Sequence, residues 1–227
     1  MFQTDGPRLA MNWPRGKVLR YLRTGQGQKM QMTYFISERY EERFFGPIRC
    51  LIGSDTQGFG FAIMSLCCLL VETIQCYRLG WPASSPAELE KLAKLSDDVL
   101  LIVPLDYRLV GPFPRTKFSS QIAFNSFFDA PEHRPHFRAL AGKGGEFYSS
   151  VRCGLLHQAQ TKKGWRIRVS GNYYQEFSWG IGINRNEFAQ SLYNCFRDFL
   201  KELENTEWNH PLWQSVWKKL WWLAVTS

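Results

Sequence analysis

The chain has 227 residues, of which 44% are hydrophobic and 15% aromatic, and a formal net charge of +8. That length and apolar content exclude a disordered chain and suffice for a large domain with a real core. The charge is uneven: residues 1–31 hold Arg8, Arg15, Lys17, Arg20, Arg23 and Lys29 against Asp5, which is +5 and leaves +3 for the body, so bulk charge permits an RNA-contacting surface without requiring one.

Residues 1–31 contain Gly, Pro and Arg with little periodicity and read as a flexible basic arm. Met30 and Met32 stand at the edge of the first patterned stretch, which makes Met32 a candidate native start. MTYFISERYEERFFGP, residues 32–47, spaces Tyr34, Phe35, Tyr40, Phe44 and Phe45 between charges and predicts an amphipathic helix ending near Gly46-Pro47. Gly53-Ser54-Asp55-Thr56 then supplies N-cap chemistry. FGFAIMSLCCLLVETIQCY, residues 59–77, imitates a membrane span. Its unbroken apolar part, Phe61 to Val71, is short of the ~20 residues that spanning requires, and Glu72 and Gln75 interrupt it, so a buried core helix without a membrane span is expected. Gly80-Trp81-Pro82 is its terminator.

SSPAELEKLAKL, residues 84–95, opens with Ser85 as cap and Pro86 at the first helical position. VLLIVPLDYRLVGPFP, residues 99–114, is β-branched and interrupted by proline, which suits an extended connection or edge strand. In residues 119–130, Ile122, Phe124, Phe127 and Phe128 fall at near-helical spacing, and HRPHFRALAGKGG reads as a loop with one helical turn. EFYSSVRCGLLHQAQ follows as a helix whose core face is Phe147, Val151 and Leu155. WRIRVSG, residues 165–171, alternates like a strand, with FSWGIGI, residues 177–183, as its return partner in a hairpin. Asn184, with Glu187 three residues on, opens a helix striped by Phe188, Leu192, Cys195, Phe196, Phe199 and Leu203. In the tail, Trp213, Val216, Trp217, Leu220, Trp221 and Ala224 share one face, for packing on the body or a partner or, in the other reading, for lying in a membrane interface.

Cys50, Cys67, Cys68, Cys76, Cys153 and Cys195 form no CxxC pair and mostly sit in apolar runs, which points to a reduced cytoplasmic protein without a zinc site. His133 and His136 lie three apart with Pro135 between them and no acidic or thiol cluster to complete a metal set. The Walker pattern and GxSxG do not occur, and no cofactor is expected.

The chemistry-bearing pattern is Arg152-Cys-Gly-Leu-Leu-His157 within a predicted helix. Glu72 is carried on the long apolar helix upstream, and an amphipathic helix follows downstream. This motif and helix order, over roughly residues 57–204, resemble the HEPN superfamily, whose ribonuclease members carry Arg-x(4–6)-His. The resemblance implies a mainly α fold: a HEPN-like helical bundle over residues 32–206, with the hairpin inserted and the Trp-rich helix of residues 207–227 appended. It implies a metal-independent endoribonuclease, usually a homodimer, in which two motif copies share one composite site. Arg152 and His157 become the catalytic pair, RNA the substrate, and 2′,3′-cyclic phosphate with a 5′-OH the product ends. The family's usual settings add a toxin or antiviral-defence role, with an antitoxin or regulatory protein as partner. Where the family often has a polar residue after the arginine, this chain has Cys153.

The residue types suit that chemistry. Histidine titrates near neutrality and arginine forks onto phosphate. Glu72, a carboxylate on a buried helix, must be paired, and is expected to orient Arg152 or His157. Lys162, Lys163, Arg166 and Arg168 are candidate RNA guides or a solvated strand face, and Trp165, Tyr173 and Tyr174 are candidate base stackers or packed strand aromatics. The plainer alternative is a catalytically inactive helical module for dimerisation or for binding RNA or protein, with Arg152 a structural partner of Glu72.

Overall fold

The computed structural model describes residues 7–54, 58–81 and 119–226, the side chains of residues 26 and 27 excepted. The helix expected over residues 84–95, the extended connection over 99–114, and Asp55-Thr56 of the expected cap lie outside the described residues. Among the described residues the chain is mainly helical, with two small sheets. It divides into two units interleaved along the sequence: residues 1–42, 76–119 and 200–227 form one, and residues 43–75 and 120–199 the other.

In the first unit, residues 8–24, within the segment expected to be a flexible arm, carry two strands and a helix. Strands β1 (Arg8–Ala10) and β2 (Trp13–Pro14) pair antiparallel, and α1 (Arg15–Thr24) follows, with proline directly before its first turn. Leu9, Ala10, Trp13, Val18 and Leu22 are buried, and these spaced apolar residues are what the basic composition masks. α1 packs against α10 (Pro211–Thr226), so segments near the two ends of the chain meet in this unit. The six predicted face residues of α10, Trp213 through Ala224, are all buried. The indole N–H of Trp213 donates to the carbonyl of Leu203 at 2.8 Å, which satisfies the polar edge of a buried ring. Trp13 packs on Phe35 of α2 (Lys29–Tyr40) with centroids 5.3 Å apart.

Gly46-Pro47 does not end a helix. A π-turn (Glu41–Phe45) follows α2, and α3 (Gly46–Ser54) begins at the glycine, because a proline in a first turn forfeits no helical hydrogen bond. α4 (Gly60–Leu79) has 20 residues, longer than its unbroken apolar part, so its length and composition alone would permit a membrane crossing, while 67% of its apolar window is packed inside the protein as in a core helix. It stops where expected, the N–H of Trp81 returning to the carbonyl of Cys76 at 2.9 Å.

The core of the second unit is aromatic. Phe124, Phe127 and Phe128 of α5 (Ser120–Asp129) meet Phe137 of α6 (Arg134–Phe137), Phe147 of α7 (Gly144–Phe147) and Phe188 of α9 (Arg185–Asn205) through ring contacts of 5.3–6.4 Å. Ile122, grouped with the core phenylalanines by spacing, is instead exposed. α9 carries its predicted buried stripe, and the side chain of Asn184 caps it, accepting from the backbone N–H of Asn186 at 3.0 Å.

The expected hairpin is instead three strands in the order β3-β5-β4: β3 (Trp165–Arg168), β4 (Tyr174–Phe177) and β5 (Gly180–Asn184). The run FSWGIGI contains its own turn at Ser178-Trp179, so β4 and β5 form the antiparallel hairpin and β3 pairs parallel to β5. The loop before β4 arches over the end of β5, where the N–H of Asn184 donates to the carbonyl of Tyr173 at 3.1 Å.

Candidate functional site

The helical stretch predicted over EFYSSVRCGLLHQAQ is not uniform. α7 widens into a π-turn (Tyr148–Arg152) and resumes as α8 (Cys153–Gln158), so Arg152 is the last residue of the widened turn. Phe147, Val151 and Leu155 fill the core as predicted. The helix ends with Ala159 in the left-handed conformation, φ 51°, and the N–H of Gln160 returning to the carbonyl of Gly154 at 3.3 Å. The chain then folds back so tightly that a Cβ on Gly154 would lie 2.4 Å from the carbonyl oxygen of Gln160. Gly154 therefore makes room for its own chain.

Glu72 and Arg152 are brought together. Arg152 Nε donates to Glu72 Oε1 at 2.8 Å, and the Ser120 hydroxyl donates to Oε2 at 2.9 Å. The Glu72 side chain is 6% exposed and that of Arg152 17%. Burial by itself disfavours the charged guanidinium, but the carboxylate of Glu72 outweighs it and holds Arg152 above its ordinary pKa. Among the described residues, no hydrogen bond engages the two terminal nitrogens of Arg152. The ring of Tyr148, one turn earlier, lies 5.5 Å from the guanidinium. Burial, and then a hydrogen bond with Cys153, raises the Tyr148 phenol. On α4, Cys68 is fully buried and its thiol pushed well up by desolvation.

His157 is not part of this cluster. It lies in the last turn of α8, exposed, with no hydrogen bond or ion pair among the described residues. Five residues along an α-helix turn through about 140° net, so Arg152 and His157 leave it in different directions. Glu72 thus orients the arginine and not the histidine.

Of the predicted RNA contacts, Lys163 and Arg166 are exposed, and Lys162 and Arg168 half-buried. The predicted stackers are packed. Trp165 is buried and donates to Glu146 at 2.9 Å; Tyr173 accepts from the N–H of Ala139 at 2.9 Å; Tyr174 lies under the ammonium of Lys143. His133 is a core residue, its Nδ1 2.7 Å from the carbonyl of Phe127, while His136 pairs with Asp198 at 2.8 Å. Among the described residues, no three His, Cys, Asp or Glu side chains group to hold a metal ion.

Ser120 and Tyr148 also belong to the cluster. Tyr148 stands at helical spacing from Arg152 and was legible; Ser120 reads as an ordinary helix start. Comparison with protein-family models, with curated proteins and with solved structures finds no match.

Proposed function

We propose that the chain is an endoribonuclease of HEPN type, acting in the cytoplasm as a homodimer and cutting RNA through its own 2′-OH. The observation carrying this reading is the state of Arg152: Nε is fixed by Glu72, the terminal nitrogens are unengaged among the described residues, and the helix that follows carries exposed His157 in its last turn. Nε anchoring aims the fork outward, where it suits a phosphate whose negative charge grows in the transition state. His157 takes the proton of the 2′-OH, the 2′-oxygen bonds to phosphorus as the P–O5′ bond breaks, the leaving 5′-oxygen takes a proton from water, and His157 returns its own to solvent. The product ends are a 2′,3′-cyclic phosphate and a 5′-OH. These steps require no metal ion. Because the two side chains diverge on one helix, arginine and histidine are brought to one phosphate by two copies of the chain. A toxin or defence role, held in check by a partner protein, is the setting that fits such an activity.

A second reading has its own observation. Arg152 is largely buried and paired, as in a structural ion pair, which fits a catalytically inactive module for dimerisation or binding. Cleavage of RNA in EDTA, with end-group analysis, separates the two. Cyclic ends from the wild type support the ribonuclease. Mixing Arg152→Ala and His157→Ala proteins then tests the composite site: activity in the mixture exceeds that of either variant alone if the site is shared, and stays at their level if it is not.

A further inference from the structure

The outer face of the sheet carries an arrangement that the cleavage chemistry does not use. Register sets Arg166 beside Gly182 and Gln175, and Arg168 beside Asn184. Alternation along the strands therefore turns Arg166, Arg168, Gly182, Gln175 and Phe177 away from buried Trp165 and Ile183. Phe177 stacks on Trp179 with centroids 4.5 Å apart and planes 9° apart. The guanidinium of Arg166 lies 4.2 Å from the Trp179 ring, and that of Arg168 lies 4.6 Å from the Phe177 ring. Gly182 leaves the space this needs: a Cβ there would come within 2.7 Å of Arg168 Cδ and 2.9 Å of the Phe177 ring.

Charge on this face is not neutralised. Arg168 donates to Gln175 Oε1 at 3.2 Å, and among the described residues neither arginine forms an ion pair. From Gln160 to Asn184 the chain has Lys162, Lys163, Arg166 and Arg168 against Glu176, a net of +3. Glu176 belongs to the opposite face by register, and Lys143 holds it at 2.7 Å. Two guanidiniums thus rest on aromatic rings in fixed positions. Arginines held in this way lose less side-chain freedom on binding than arginines waving in solvent. The strand rise sets their Cα atoms about 6.6 Å apart, on the scale of successive phosphates in a stretched single strand. Trp179 remains 40% exposed, so a base can stack on it, but stacking on an aromatic face does not depend on base identity, and the guanidiniums take the phosphates.

We propose that this face docks the phosphodiester backbone of single-stranded RNA, independently of base sequence. The inference rests on RNA being the substrate, and a binding assay tests it without cleavage. The probe is a short fluorescein-labelled 2′-O-methyl oligouridylate, which lacks the nucleophile, titrated by anisotropy over a range of salt with the full chain. For Arg166→Gln/Arg168→Gln, affinity falls on the order of tenfold, and the salt dependence of log K flattens by about 1.4, the slope of two lost phosphate contacts. Trp179→Leu keeps the charge and loses the platform, so binding weakens about threefold to fivefold with the slope unchanged. Arg8→Gln/Arg23→Gln removes the same charge from exposed positions of β1 and α1 and leaves affinity within about twofold. Equal weakening by that control, or unchanged binding in the sheet variant, overturns the proposal. So does a wild type that ignores the oligonucleotide and binds polyglutamate, which would make the face a protein-docking one. Cleavage failing while this binding pattern holds would sink the ribonuclease reading alone.

Discussion

The two ends of the segment Tyr148–Gln158 differ in how their cationic residues are held. At one end Arg152 is enclosed, its Nε committed to a carboxylate that also accepts from Ser120. At the other His157 stands in solvent with no protein hydrogen bond among the described residues. A buried ion is tied to the fold, because removing its partner leaves an uncompensated charge away from water. An exposed histidine is not tied to it and is free for proton transfer. The contrast teaches that one short motif can join a structural obligation to a chemical option, and it yields opposite expectations for stability and activity.

The largest effect belongs to the enclosed end. Glu72→Leu strands the Arg152 guanidinium and is expected to lower unfolding free energy by about 3–5 kcal/mol in urea denaturation. Glu72→Leu with Arg152→Met removes both charges and recovers most of that loss; a double variant as unstable as the single one would break the comparison.

A more open carboxylate in the first unit sharpens it. Burial would raise the Glu38 pKa, but hydrogen bonds from Tyr34, Trp13 and Asn12 and the nearby charge of Lys17 bring it below the usual carboxylate value. A depressed carboxylate stabilises above its unfolded pKa, about 4.3, and that stabilisation disappears as pH falls through the lower folded value. Glu38→Gln should cost about 1 kcal/mol at neutral pH and flatten the acid limb of the stability curve, measured by thermal melts from neutrality down to pH 2–3.

The smallest stability change lies beside His157. Ala159 adopts a left-handed conformation that glycine reaches without strain, so Ala159→Gly is expected to gain about 0.5 kcal/mol, read as a small rise in melting temperature. A loss would mean that the turn is held by contacts of the Ala159 methyl.

Much of the fold was legible because periodic burial leaves a periodic trace. The stripes of α9 and α10, the stop of α4 and the cap at Asn184 all rest on local pattern. Other features are nonlocal. The turn inside FSWGIGI puts β5 between β3 and β4, a pairing that alternation within each run cannot express. The basic N-terminal segment hides Leu9, Trp13, Val18 and Leu22, which find their use against distant parts of the chain. At the site, the Glu72–Arg152 pairing was legible from the need to satisfy a buried carboxylate. The π-turn that precedes it was not, since nothing in YSSVR distinguishes it from an ordinary helical turn. Phe177 and Trp179 went unread as cation partners because their arginines lie on another strand.

The most direct measurement follows RNA cleavage in EDTA and unfolding on the same preparations of wild type and His157→Ala. The account predicts cleavage with 2′,3′-cyclic ends by the wild type, a loss of about 10²–10⁴-fold in the variant, and unfolding free energies within about 0.5 kcal/mol of each other. Equal cleavage by the two proteins, or a variant that loses activity because it unfolds, would contradict it.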